Sequence, residues 1–304
     1  MKIIKLKFLG TASGTPVSGL FPASVLVEKD GKKMLVDCGE GIQHQFFRSK
    51  EGLRGLSAIF ITHMHGDHVL GLPGFLMSLS LLNWEGRIRI YGPERIRELV
   101  EFTLEATLSG TQILDKFDFY ANNSEFTVGD LNVKPFRVQH RVEAYGLKIE
   151  EADKPGKFNE EAAKELGIPK GPLWGQLQRG KKVYINGIEF TPGQVLGPAR
   201  PGVKFVYTGD ASPSEEIIRQ ARGTDCLVHD AAFPKGDEAA AHEFGHSTWY
   251  DAVKEAKEAG VSQLILFNFG GKAVSQLAQI ELEVKKEFQN SYLAKDLWDF
   301  YVKK

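Results

Sequence analysis

Thr62-His63-Met64-His65-Gly66-Asp67-His68 directly follows the apolar run Ala58-Ile59-Phe60-Ile61. A short apolar run of this kind reads as a buried strand, and a loop at its C-terminal end can aim alternate side chains at one cation. His63 and His65 share a face at period two, while Asp67 and His68 lie on the turn beyond. Three of the chain's eight histidines thus fall within six residues, with a carboxylate among them. Chance clustering of surface histidines is the plain alternative; the scarcity of His and the acid in the cluster argue for a metal site. One loop does not complete a coordination sphere, so further ligands are sought at other strand ends. His140 ends the run Leu131 to Gln139, and Asp210 follows Lys204-Phe205-Val206-Tyr207-Thr208-Gly209. Each alone reads as a cap, Asp210 as the N-cap of a helix near Pro213. Beside the first cluster, both become candidate ligands.

Outward from this loop, the first sixty residues read mostly as strands. Lys2 to Leu9 alternates at period two and runs into the loop Gly10-Thr11-Ala12-Ser13-Gly14-Thr15-Pro16. Val25 to Val27 and Met34 to Asp37 flank hairpin chemistry at Asp30-Gly31. A helix is predicted over Glu94 to Ser109, and strands over Phe126 to Val138 and Ala144 to Ile149. The C-terminal third alternates strands (Lys204 to Thr208, Cys226 to His229, Gln263 to Asn268) with helices (Thr248 to Ala259, Ser275 to Phe288). Two strand-rich halves closed by helices suggest two sheets packed face to face with helices outside.

Between them the texture changes. From Asp153 to Lys182 there are seven basic residues against four acids, with Pro155, Pro169, Gly171, Pro172 and Gly175 and little apolar periodicity beyond a short helix near Asn159 to Leu166. This predicts an insertion projecting from the body, over residues 152–195 of a single domain spanning 1–304.

Composition sets the outer bounds. The chain has 304 residues, 42% hydrophobic and 25% charged, which excludes a disordered or fibrous protein. A net charge of -1 marks no general attraction to nucleic acid or membrane, so an anionic partner requires a local patch. No leader-like or membrane-spanning apolar block is present. Cys38 and Cys226 sit in apolar runs and read as buried free thiols, which suits a reducing cytoplasm.

His63-Met64-His65-Gly66-Asp67-His68 resembles the metal motif of the metallo-β-lactamase superfamily. Phe8-Leu9-Gly10-Thr11, Asp37-Cys38-Gly39-Glu40-Gly41, Leu166-Gly167-Ile168-Pro169-Lys170-Gly171-Pro172, Tyr207-Thr208-Gly209-Asp210 and Gly245-His246-Ser247-Thr248 narrow the resemblance to ribonuclease Z, the endonuclease that trims tRNA precursors at the 3′ end. The resemblance implies a four-layer αββα fold, two zinc ions, a homodimer and an arm that grips tRNA. Mapped here, one zinc is held by His63, His65 and His140 and the other by Asp67 and His68, with Asp210 bridging. Asp67 orients or deprotonates the attacking water, and His246, held by Asp230, protonates the leaving oxygen. The basic insertion, with Lys170, Gly171, Pro172, Arg179, Lys181 and Lys182, is the expected tRNA contact. Trp174 reads as a pin for this arm, His229 as structural; His44 and His242 have no assigned role.

Departures fall on functional positions. Asn268 stands where the family has a metal histidine, so the second ion should bind weakly or give way to manganese. Phe269-Gly270-Gly271-Lys272 replaces a serine stretch followed by arginine. Asp230 is one methylene shorter than the family's glutamate, and Val17-Ser18-Gly19-Leu20-Phe21 lacks the usual basic residues. The alternative reading is a paralogue that binds RNA or hydrolyses another phosphodiester. A small-molecule hydrolase of the thioesterase or lactamase kind is a third reading, disfavoured by the arm.

Overall fold

Ala58 and Phe60 turn to one side of their strand and Ile59 to the other, and all three are fully buried. A strand buried on both faces belongs to an inner layer. A computed structural model describes residues 3–15, 17, 19–107 and 111–304. Lys2 of the first expected strand, Pro16 and Ser18 of the loop after it, and Leu108 and Ser109 at the end of the expected helix lie outside the described residues.

Strands run Ile4–Gly10 (β1), Ser24–Lys29 (β2), Lys32–Val36 (β3), Leu56–Phe60 (β4), Ile88–Gly92 (β5), Phe117–Ala121 (β6), Phe126–Val128 (β7), Leu131–Val138 (β8), Ala144–Glu151 (β9), Val183–Ile185 (β10), Ile188–Phe190 (β11), Lys204–Tyr207 (β12), Cys226–Asp230 (β13), Gln263–Phe267 (β14), Ser291–Leu293 (β15) and Trp298–Val302 (β16). Two seven-stranded sheets form, in the orders β16-β1-β2-β3-β4-β5-β6 and β15-β14-β13-β12-β9-β8-β7. In each, a parallel run (β3 to β6; β12 to β15) adjoins antiparallel strands.

Three apolar layers follow. Leu6, Phe8, Val36 and Phe60 pack with Leu147, Phe205, Val228 and Phe267 between the sheets. Leu35 and Ile59 pack outward on Phe46, Phe75, Leu76 and Val100 of helices Ile42–Arg48, Leu72–Leu81 and Ile96–Ala106. Val206, Leu227 and Leu266 pack outward on Ile217, Trp249, Val253 and Ile280 of helices Glu215–Ala221, Trp249–Ala259 and Leu277–Glu287. This is the four-layer αββα metallo-β-lactamase fold. Thr248 caps the helix Trp249–Ala259 with a capping box, and Gly260, at φ 70°, ends it. The run Phe126 to Val138 is two strands and not one, because Gly129, at φ 63°, turns the chain between β7 and β8. Cys38 and Cys226 are buried free thiols.

The chain divides into two compact units, Met1–Glu150 with Val203–Lys304, and Glu151–Gly202. The second contains residues 152–195, read above as the inserted arm. Despite its proline and glycine it has its own core: Ala163, Ile168, Trp174, Leu177, Val183, Phe190 and Val195. Trp174 is buried and its Nε1 donates to Ile168 O at 3.0 Å, so the indole pins this unit. No described helix is long and apolar enough to cross a membrane.

Candidate metal centre

Carboxyl ends of strands from both sheets converge, as ligand-bearing ends do in α/β folds. β3 delivers Asp37, β4 the histidine loop, β8 His140, β12 Asp210, β13 Asp230 and β14 Asn268. His63 Nε2 lies 3.0 Å and His140 Nε2 3.1 Å from His65 Nδ1. These spacings approach the roughly 3.3 Å edge of a tetrahedron with Zn–N bonds of 2.0–2.1 Å. His63, His65 and His140 form one potential ligand group; His63, His68 and Asp210 form a second. His68 Nε2 stands 3.3 Å from Asp210 Oδ1 and 3.4 Å from Asp67 Oδ2. Asp67 also accepts from the Gly14 N–H at 2.9 Å, which draws the loop after β1 onto the site.

The imidazoles are aimed by partners behind them. His68 Nδ1 donates to Asp37 Oδ2 (2.9 Å), and His140 Nδ1 to Gly245 O (2.7 Å). His63 Nδ1 donates to Thr62 Oγ1 (2.9 Å), which in turn donates to Asp37. Each bond leaves the Nε2 lone pair facing the centre. Asp37 is fully buried, and sequence reasoning does not single it out as a site residue; its signal is the Asp37-Cys38-Gly39-Glu40-Gly41 motif. Gly245, at φ 78°, is required here, since a Cβ would meet His140 Nδ1 at 2.7 Å.

Electrostatics agree with cation binding. Burial, then the positive charge of His68, hold His63 well below its ordinary pKa, so its ring stays neutral and able to ligate. Burial opposes ionisation of Asp210, but His68 and further histidines keep it well below the usual carboxylate range. Burial disfavours a charged His68, yet Asp210 and Asp37 raise it well above normal. Among the described residues its buried Nε2 has no hydrogen-bond partner, and a position so strongly favouring positive charge suits a metal ion. The donor set of nitrogens and carboxylates therefore fits a divalent cation.

Beyond the ligands, Asp230 Oδ2 accepts from His246 Nδ1 (3.0 Å) and Ser247 N (2.9 Å). Burial works against charge on His246, but Asp230 lifts its pKa to about 9. Asn268 Nδ2 donates to Asp210 Oδ1 and Asp230 Oδ1, both at 2.9 Å, tying the two carboxylates together. Ser214, not Asp210, caps the helix Glu215–Ala221. His229 is held between Glu255 and Asp230 O; His44 stacks on Phe21, and His242 meets Asp251. Lys170, Gly171, Pro172, Arg179, Lys181 and Lys182 all lie in the unit Glu151–Gly202. There Lys170 caps the Trp174 ring at 5.7 Å, Pro172 opens the helix Pro172–Gln178, and Lys182 pairs with Glu189 at 2.9 Å.

The chain is 35% identical to a Ribonuclease Z of Methanosarcina mazei, with 99% of this chain and 98% of the relative covered, and 38% identical to one of Archaeoglobus fulgidus at the same coverage. The chain belongs to the ribonuclease Z family. Half of it, residues 4–155, also matches the family described as Anti-Pycsar protein Apyc1. That half carries His63, His65, Asp67, His68 and His140 and stops before Asp210, Asp230, His246 and Asn268. Among solved structures, the short form of human tRNase Z superposes with a TM-score of 0.70 at 23% identity, covering 99% of this chain and all of that one. Zn(2+)-bound PqqB from Methylobacterium extorquens reaches 0.60 at 15% identity, covering 97% and 99%. At such identities the likeness shows the fold alone.

Proposed function

We propose that this chain is a metal-dependent endoribonuclease that cuts tRNA precursors on the 3′ side of the discriminator nucleotide. The observation that carries the reading is 35–38% identity over essentially the whole length to proteins named Ribonuclease Z, joined to a centre whose donors fit a divalent ion. His63, His65 and His140 would hold one ion; Asp67, His68 and Asp210 would hold a second, zinc or manganese, more weakly because Asn268 supplies no imidazole. When bound, the ions neutralise phosphate charge and lower the pKa of water. Asp67 orients the attacking water and receives its proton. His246, charged at neutral pH and steadied by Asp230, gives its proton to the departing 3′ oxygen. The new P–O bond leaves the phosphate on the trailer and a 3′-hydroxyl on the tRNA.

Residues 152–195 serve as the tRNA-holding arm, with Lys170, Arg179, Lys181 and Lys182 on phosphates and Gly171-Pro172 shaping the grip. A homodimer is part of this reading, with the exposed apolar side chains Leu81 and Leu82 at the end of helix Leu72–Leu81 and Phe102 of helix Ile96–Ala106 as candidate contacts. Buried free thiols suit a reducing cytoplasm.

Incubation with a tRNA precursor and zinc or manganese tests the reading: cleavage just after the discriminator base is expected, and Asp67→Ala should lower the single-turnover rate by about 10²–10⁴-fold. Tight tRNA binding without cleavage under either metal would sink it. Asn268, which clamps Asp210 and Asp230 and offers an ion no nitrogen lone pair, favours a second reading, hydrolysis of another phosphodiester. Turnover of bis(p-nitrophenyl) phosphate, with neither tRNA nor a thioester cleaved, is its signature.

A further inference from the structure

We propose that the cavity beside His246 is a nucleobase subsite, taking the base of the nucleotide that departs with its 3′ oxygen. This rests on the phosphodiesterase reading above and adds the ligand that the site selects. The cavity measures about 380 Å³ and is lined by Phe233, Phe244, Arg141 and Lys272, and it shares His65 and His246 with the metal centre. That volume is at the low end for small-ligand sites, sized for one nucleotide and not for a duplex. Because His246 lines it, the cavity lies on the side of the proton donor and hence of the leaving oxygen.

Its walls have the chemistry of base recognition. The Phe233 and Phe244 rings are parallel within 10° at a centroid distance of 6.3 Å. A base cannot slide between them, since two stacked layers need about 7 Å. It stacks instead against the exposed part of this pair, where Phe244 is 47% exposed. The Arg141 guanidinium lies 5.5 Å from the Phe244 centroid, and among the described residues no carboxylate pairs with it. Lys272, by contrast, is taken by Asp237. An exposed aromatic ring with a guanidinium over it that no described carboxylate pairs, next to a phosphate-handling centre, suits a nucleotide better than an acyl chain.

Calorimetry on the full chain with manganese, using adenosine 5′-monophosphate and ribose 5-phosphate as probes, tests this. Wild type is expected to bind the nucleotide about tenfold or more tightly than the sugar phosphate. Phe244→Ala should bring that ratio near one, Phe244→Tyr should retain it, and Arg141→Gln should weaken both probes alike. Equal binding of the two probes by wild type, or a preference that survives Phe244→Ala, overturns the proposal. A preference that holds in a chain cutting no tRNA precursor retires the ribonuclease reading and keeps the subsite.

Discussion

His246 Nδ1 lies 3.0 Å from Asp230 Oδ2, and the carboxylate is fully buried. If His246 gives its proton to the leaving oxygen, this pair sets the alkaline limit of activity. Burial alone would discharge His246; Asp230 outweighs it and pushes the pKa up to about 9. A proton donor acts while protonated, so kcat/KM should fall as pH rises through about 9. Asp230→Asn removes the counter-charge and should move that limb down toward the ordinary value of about 6.5. The same linkage gives a stability signature. A raised folded-state pKa contributes stability that is complete below about 6.5 and is lost as pH rises through about 9. Melting temperature should therefore drop over that window in wild type and less in Asp230→Asn.

Asp37 holds His68 from behind and receives Thr62 N–H and Oγ1–H as well. Its φ of 60° is one that Asn also tolerates, so Asp37→Asn should fold. An amide keeps one acceptor oxygen, which Thr62 N–H and His68 Nδ1 must then share, and it loses the charge that steadies His68. Metal affinity should weaken by about 10–100-fold, read by competition with a chromophoric chelator.

Asn268 has φ 62°, a backbone shape in which histidine is also enriched. Its amide clamps Asp210 and Asp230 and supplies no nitrogen lone pair to an ion. Asn268→His is expected to raise bound metal from about one toward two per chain and to increase the cleavage rate. Elemental analysis showing unchanged stoichiometry would count against this account of the second ion.

If Lys181 and Lys182 meet phosphates, replacing both with Gln should raise KM for a tRNA precursor and leave turnover of bis(p-nitrophenyl) phosphate unchanged. The salt dependence of tRNA binding should shrink by about 0.7–0.9 in logarithmic slope for each lysine–phosphate pair removed. An equal loss on both substrates would place these lysines elsewhere in the mechanism.

The metal loop is readable in sequence because its signal is local: an apolar run, then alternating histidines and an acid. The two-sheet body is readable for a related reason, since alternation in Lys2 to Leu9 and the helical cap at Thr248 act within a few residues. What escapes depends on distance or on missing contrast. Asp37 reaches His68 across 31 positions, and Phe233 meets Phe244 only through the fold. Helix Leu72–Leu81 is apolar nearly all round, with Leu81 83% exposed, so no amphipathic period announces it. Strands β5 and β6 are hard to read because Arg89 and Asp118 interrupt their apolar pattern. The core around Trp174 is hidden by flanking proline and glycine, which read as loop.

Glu150 on β9 and Lys204 on β12 are register partners in one antiparallel ladder. The chain therefore leaves the body and re-enters it at a single rung, and everything between is a detour with a core of its own. Cutting out residues 151–202 and bridging the rung with Asn-Gly should leave a hairpin that closes without shifting one ligand. If the detour selects the cargo, chemistry and cargo selection are separately heritable in this architecture: a lineage can exchange or discard the detour while the body keeps its register.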